Sequence, residues 1–138
     1  MLSELSIRNV AIIDHLHLSF ASGLNILSGE TGAGKSIIID ALTLVCGGRA
    51  ASDLIRSGED EATVEAVFNI SALPQVQEQL RDAGIEEGDE LIVRRVLNRS
   101  GKNRVYLNGT LATLGQLAEI GRQLVTIHGQ HEIGRAHV

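Results

Sequence analysis

Residues 29 to 36 read Gly-Glu-Thr-Gly-Ala-Gly-Lys-Ser, which satisfies the spacing G-x-x-x-x-G-K-[ST] at every fixed position. No other stretch restricts so tightly what the chain can fold into. A polyphosphate has to be ringed by donors at close range, and successive backbone N–H groups can do this only where no side chain intervenes. Gly29, Gly32 and Gly34 clear that space. The pattern also requires a strand ahead of it and a helix behind it. Leu24 to Leu27 is a short apolar run leading straight into the glycines. From Lys35 onward Ile37, Ile38, Ala41, Leu44 and Val45 recur on one helical face, and Gly47-Gly48 ends the helix. A helix starting near Gly34 turns the positive end of its dipole toward the loop. Lys35 then offers a point charge to β- and γ-phosphates, and the Ser36 hydroxyl is suited to Mg²⁺. The candidate nucleotide contacts are therefore Gly29, Glu30, Thr31, Gly32, Ala33, Gly34, Lys35 and Ser36.

The flanking sequence predicts a mixed α/β domain. Leu2, Leu5 and Ile7 alternate with polar residues, and Ile13, Leu16, Leu18 and Phe20 bracket His15, His17 and Ser19, both patterns of half-buried strands. Val64, Ala66 and Phe68 restore a period of two after a loop over 49–61. Leu73 to Ala83 reads as a helix with Pro74 in its first turn. Leu91–Leu97 and Arg104–Leu107 read as strands, Asn108-Gly109 as a turn, and Thr110–Ile120 as a helix capped by Thr110 with Leu111, Leu114, Leu117 and Ala118 on one face. Leu124–Ile127 is expected to be a last short strand.

At 138 residues the chain has room for one domain. Twelve Lys and Arg against 17 Asp and Glu give a net charge of −5, which argues against a surface coated in positive charge for indiscriminate nucleic-acid binding. One Tyr, two Phe and no Trp leave little for a base-stacking platform. Cys46 is the single cysteine, so no internal disulfide is expected and a small, buried apolar group is. No apolar run reaches membrane-spanning length and Met1–Val10 lacks the pattern of a signal peptide; the expected location is the cytoplasm. Arg94, Arg95, Arg99, Lys102 and Arg104 form a run without an acid between 94 and 108, readable as a hairpin touching DNA phosphates or as a solvated hairpin edge. His128 and His131 lack an evident third ligand, which disfavours zinc.

An enzyme using such a loop also needs a carboxylate at the end of an apolar strand to hold Mg²⁺. The last apolar strand runs into His128 instead, and Asp40 lies within the helix after the loop. The chain thus carries phosphate-binding parts without the full catalytic set. A self-contained small P-loop NTPase or kinase would need an acidic strand end or a phosphoacceptor site here.

Several segments carry a resemblance. Leu5-x-Ile7-x-Asn9, Gly23-Leu24-Asn25-Ile26-Leu27-x-Gly29 and the run from Gly34 to Ala41 resemble the N-terminal half of ATPase heads of the SMC class. More narrowly, the run from Gly29 to Leu42, Leu54-Ile55-Arg56-Ser57-Gly58, the segment from Arg104 to Gly109, and Ile127-His128-Gly129-Gln130-His131-Glu132 resemble the RecN family of bacterial DNA repair ATPases. Another SMC-class or ABC-type ATPase fragment is an alternative; an ABC transporter subunit is disfavoured because no aromatic ahead of the loop other than Phe20 is suited to stack on adenine.

The resemblance implies an α/β fold, the N-terminal lobe of an ABC/SMC-type P-loop NTPase head with a mixed sheet and antiparallel hairpins. It implies ATP and Mg²⁺ as ligands, a role in double-strand break repair and recombination, and ATP hydrolysis only when a C-terminal lobe and a second head complete the site. Gln130 matches the glutamine-loop position, where it would ligate Mg²⁺ and sense the γ-phosphate; Arg56 matches a position that contacts DNA in related heads. The implied partners are the C-terminal lobe, a second copy and DNA, with no membrane and a nucleoid-associated place in the cytoplasm. Residues 1–132 would form this lobe. Residues 133–138 depart from the family, resemble the translation of a sequencing-library adapter, and are expected to be a non-native tail.

Overall fold

Alternation in the first twenty residues produces a hairpin. Strands β1 (Leu2–Val10) and β2 (Ile13–Ser19) pair antiparallel across the two-residue turn, with Leu5 opposite Leu18 and Ile7 opposite Leu16. This computed structural model describes residues 1–20, 32–50 and 52–124. The remaining elements are helix α1 (Gly32–Val45), a 3-10 turn at Ser52–Leu54, β3 (Glu61–Asn69), α2 (Pro74–Asp82), β4 (Glu90–Asn98), β5 (Arg104–Leu107), β6 (Thr110–Ala112) and helix α3 over 114–124.

The strands form a six-stranded sheet in the order β2-β1-β3-β4-β5-β6, and every pairing among the described residues is antiparallel. The expected strand 24–27 lies outside the described residues, as does all but the first residue of the one expected at 124–127. Leu124 itself is helical, in α3. Period two puts Leu5 and Ile7, then Val64, Ala66 and Phe68, then Leu91, Val93 and Leu97, and finally Val105 and Leu107 on one face, all buried. Helix α1 lies across β3 and β4 on that face, sealing it with Ile37, Ile38, Ala41, Leu42, Leu44 and Val45. Each such Leu, Ile or Val side chain contributes about 1.5–3 kcal/mol relative to exposure. The opposite face carries Ser6, Arg8, His15, His17, Thr63, Glu65 and Arg94 toward solvent, as an antiparallel sheet allows. Helix α2 buries Val76 and Leu80 and meets α3 through Gln79, which donates to Glu119 and accepts from Gln123.

Helix α3 differs from its sequence reading. Thr110–Ala112 is not the first turn of a helix but strand β6, pairing with β5 across the Asn108-Gly109 turn. The helix starts at 114, and Thr113, not Thr110, caps it: the Thr113 hydroxyl accepts the Gln116 N–H while the Gln116 side chain accepts the Thr113 N–H. This reciprocal pair is a capping box, two residues' worth of bonds that Thr110 could not make. The inward face shifts with it. Leu111 and Leu114 are 64% and 41% exposed; Leu117 is buried as expected, and Ile120 and Leu124 join it.

Candidate nucleotide site

Helix α1 begins at Gly32, two residues earlier than its apolar face suggests, so Gly32, Ala33, Gly34, Lys35 and Ser36 form its first turns. Gly29, Glu30 and Thr31 lie outside the described residues, as does Gln130. The start of this helix runs against the local rules. Glycines are poor helix formers, a lysine opposes the positive end of the dipole, and the first turn holds no acidic residue to offset either. Lys35 is half-buried and Ser36 exposed, and neither makes a side-chain hydrogen bond or ion pair among the described residues. Such a set suits a polyanion: the dipole and Lys35 attract it, the first turn of the helix adds no carboxylate, and an accessible hydroxyl is at hand for a hard cation. The residues present therefore fit a nucleotide triphosphate with Mg²⁺.

The far end of α1 is firmly held. Leu44 and Val45 are fully buried, Gly47 takes a φ of +98°, and its position leaves no room for a side chain because a Cβ would come within 2.5 Å of the Ala118 backbone on α3. Gly121 packs against the Cys46 carbonyl so closely that any Cβ would collide with it. Cys46 is half-buried against the core, not fully buried as expected, and desolvation pushes its thiol up to about 11.

Arg56 lies on the segment that follows the 3-10 turn. That segment is laced to the β1–β2 hairpin: Ala11 N–H donates to the Leu54 carbonyl and Arg56 N–H to the Asn9 carbonyl, both at 2.8 Å, and Ile55 bridges Val10. Asn9 and Ala11 adopt positive φ of 59° and 53°, a conformation non-glycine residues rarely take. The Arg56 side chain is half-buried, and its carbonyl accepts from Arg99.

The basic run of β4 and β5 is not one patch. Arg95 is buried and faces α1, Arg99 donates to the Glu59 and Arg56 carbonyls, and Arg104 pairs with Glu61 at 3.3 Å. Arg94 sits over the Tyr106 ring at 5.7 Å. Side chains already bound to the protein are poor candidates for a shared phosphate-binding edge. The inward turn of Arg95 was missed in sequence, although a signal existed: it shares parity with Leu91, Val93 and Leu97.

A family model described as AAA domain matches residues 4–135. The chain belongs to the AAA domain family. It is 50% identical over 133 residues to the DNA repair protein RecN of Bacillus subtilis, covering 96% of this chain and 23% of that protein. Against RecN of Halalkalibacterium halodurans the identity is 49% over 133 residues, covering 96% and 24%. The chain thus spans about a quarter of the length of these curated relatives and corresponds to their N-terminal part. A solved structure concerned with ATP-driven dimerization and DNA-stimulated activation of SMC ATPases superposes with a TM-score of 0.69 at 25% identity, covering 86% of this chain and 76% of that one. The resemblance to the RecN family and to SMC-type heads is borne out, and the fold is that of an N-terminal ATPase-head lobe. Among the described residues no helix is long and apolar enough to cross a membrane.

Proposed function

We propose that residues 1–132 are the ATP-binding half of a RecN-like head that acts in DNA double-strand break repair and recombination. The observation carrying this reading is a helix whose first turns are Gly-Ala-Gly-Lys-Ser with no acid, following Gly-Glu-Thr in the sequence, in a chain half identical to a named DNA repair protein. Gly29 to Gly34 would surround the phosphates with backbone donors, and Lys35 would neutralise charge between the β- and γ-phosphates. Ser36 and Gln130 would hold Mg²⁺ by their side-chain oxygens. Bound Mg²⁺ supplies Lewis-acid neutralisation of the phosphate oxygens.

The remaining parts come from elsewhere. A C-terminal lobe supplies the acidic strand end, and a second head, engaged on ATP binding, completes the catalytic site. DNA is the macromolecular partner, with Arg56 as its contact from this lobe, and the cytoplasm, at the nucleoid, is the site of action. Residues 133–138 are a non-native tail in this reading, although the AAA domain match takes in 133–135. A self-contained kinase or NTPase gains no support, because the relatives extend over about four times this length.

Calorimetric titration with MgATP tests the proposal. The full chain is expected to bind it, Lys35→Ala to lose binding, and turnover to stay negligible until the C-terminal lobe is added. Robust hydrolysis by the lone chain, or no heat at millimolar MgATP, overturns it.

A further inference from the structure

Arg95 is the one buried charged side chain among the described residues, 2% exposed on the core face of β4. Its row partners Leu91, Val93 and Leu97 are all aliphatic, so strand parity alone calls for another aliphatic residue. Taking a guanidinium out of water is expensive unless it is well bonded, and no carboxylate pairs with it among the described residues. What it meets is the C-terminal end of α1. Nη1 donates to the Leu44 carbonyl at 3.0 Å and to the Gly48 carbonyl at 2.6 Å, while Nε is buried without a partner. The two acceptors lie in the last turn of α1 and just beyond its end, where the Leu44 carbonyl also accepts the Gly47 N–H at 3.1 Å and the dipole favours a cation.

We propose that Arg95 is a positioning residue for the nucleotide site, fixing α1 on the sheet through its C-terminal carbonyls; this rests on the nucleotide reading of the helix start. The rest of the α1–sheet contact is aliphatic, which resists separation but has no directional preference. Hydrogen bonds are sharp in distance and angle, and two of them to successive turns set both the height and the rotation of the helix. Helix α3 closes the same end, with Gly47 against Ala118 and Gly121 against Cys46. A helix of 14 residues spans about 21 Å as one hydrogen-bonded unit, so a shift at its end is carried toward Lys35 and Ser36. Misplacement of about 1 Å far from the chemistry can cost a hundredfold in function.

The test is MgATP affinity by calorimetry on the full chain, at a temperature where circular dichroism shows each variant fully folded. Arg95→Met keeps the length and removes both bonds. Val76→Ala, in α2 and away from α1, serves as a destabilised control. The expected result is an affinity loss of about tenfold in Arg95→Met, partial recovery in Arg95→Lys, and an unchanged Val76→Ala. If Arg95→Met does not fold, Arg95→Gln is read by the same criterion. A loss below about fivefold in the variant read overturns the proposal, because Arg95 then only stabilises the fold. If the wild-type chain binds no MgATP, the nucleotide reading fails, and this inference fails with it.

Discussion

Gly121→Ala should invert the usual sign of a glycine-to-alanine change in a helix. Gly121 lies within α3, where alanine is ordinarily the better residue by about 0.8–1 kcal/mol. Here the added methyl would strike the Cys46 carbonyl, carbon and Cα at once. These are backbone atoms at the end of α1, not the tip of a flexible side chain, so relief requires moving one helix off the other. Overpacking of this kind costs about 1–3 kcal/mol, and with rigid atoms on both sides the upper figure applies. Subtracting the propensity gain leaves a net loss of about 2 kcal/mol, or a fall of about 6 °C in melting temperature for a domain of this size. Gly115→Ala, in the same helix, is the control: its Cβ would meet only the Thr113 hydroxyl, at 3.8 Å, so it should hold or raise stability by about 0.5 kcal/mol. Thermal and urea melts followed by circular dichroism measure both. A Gly121→Ala chain as stable as wild type would refute the close seating of α3 on α1.

Thr113→Ala removes half of the capping box and should lower stability by about 1 kcal/mol in the same urea titration, whereas Thr110→Ala, at the edge strand, should cost less. Cys46 should resist alkylation in the native state. Raising its thiol from 9.0 to about 11 favours the protonated form, so at pH 8 the reactive thiolate falls about a hundredfold below that of an ordinary cysteine. The iodoacetamide rate should therefore climb with pH toward 11 and jump on denaturation; a native rate matching free cysteine would show that the thiol is not desolvated.

The strands were legible because alternation is a local signal that a half-buried sheet cannot avoid. Leu5 and Ile7, and Val64, Ala66 and Phe68, lie buried as their parity requires. The α3 boundary was legible too, but in Thr113-x-x-Gln116 and not in the earlier threonine, since only the former spacing lets both side chains reach a backbone N–H. The same parity that placed Leu91 and Leu97 should have placed Arg95 inward; its charge concealed that reading. The lacing of 54–56 onto Asn9 and Ala11 left little trace, because it consists of backbone bonds between distant segments and of a positive φ at Ala11, whose type does not announce it. Of the candidate site, the α1 start was visible from its glycines and lysine, whereas the C-terminal hold on that helix depends on contacts across the fold.

The strand order carries a consequence for how the chain assembles. Hairpins β1–β2, β4–β5 and β5–β6 each close over only a few residues, but the central pairing of β1 with β3 must close over everything from Ala11 to Asp60, including the whole phosphate motif. Closure entropy grows with that span, and distant pairings are the slow ones. Zippering of the two halves of the sheet is therefore the expected late event, and the segment meant for phosphate gains its scaffold only once that seam has shut.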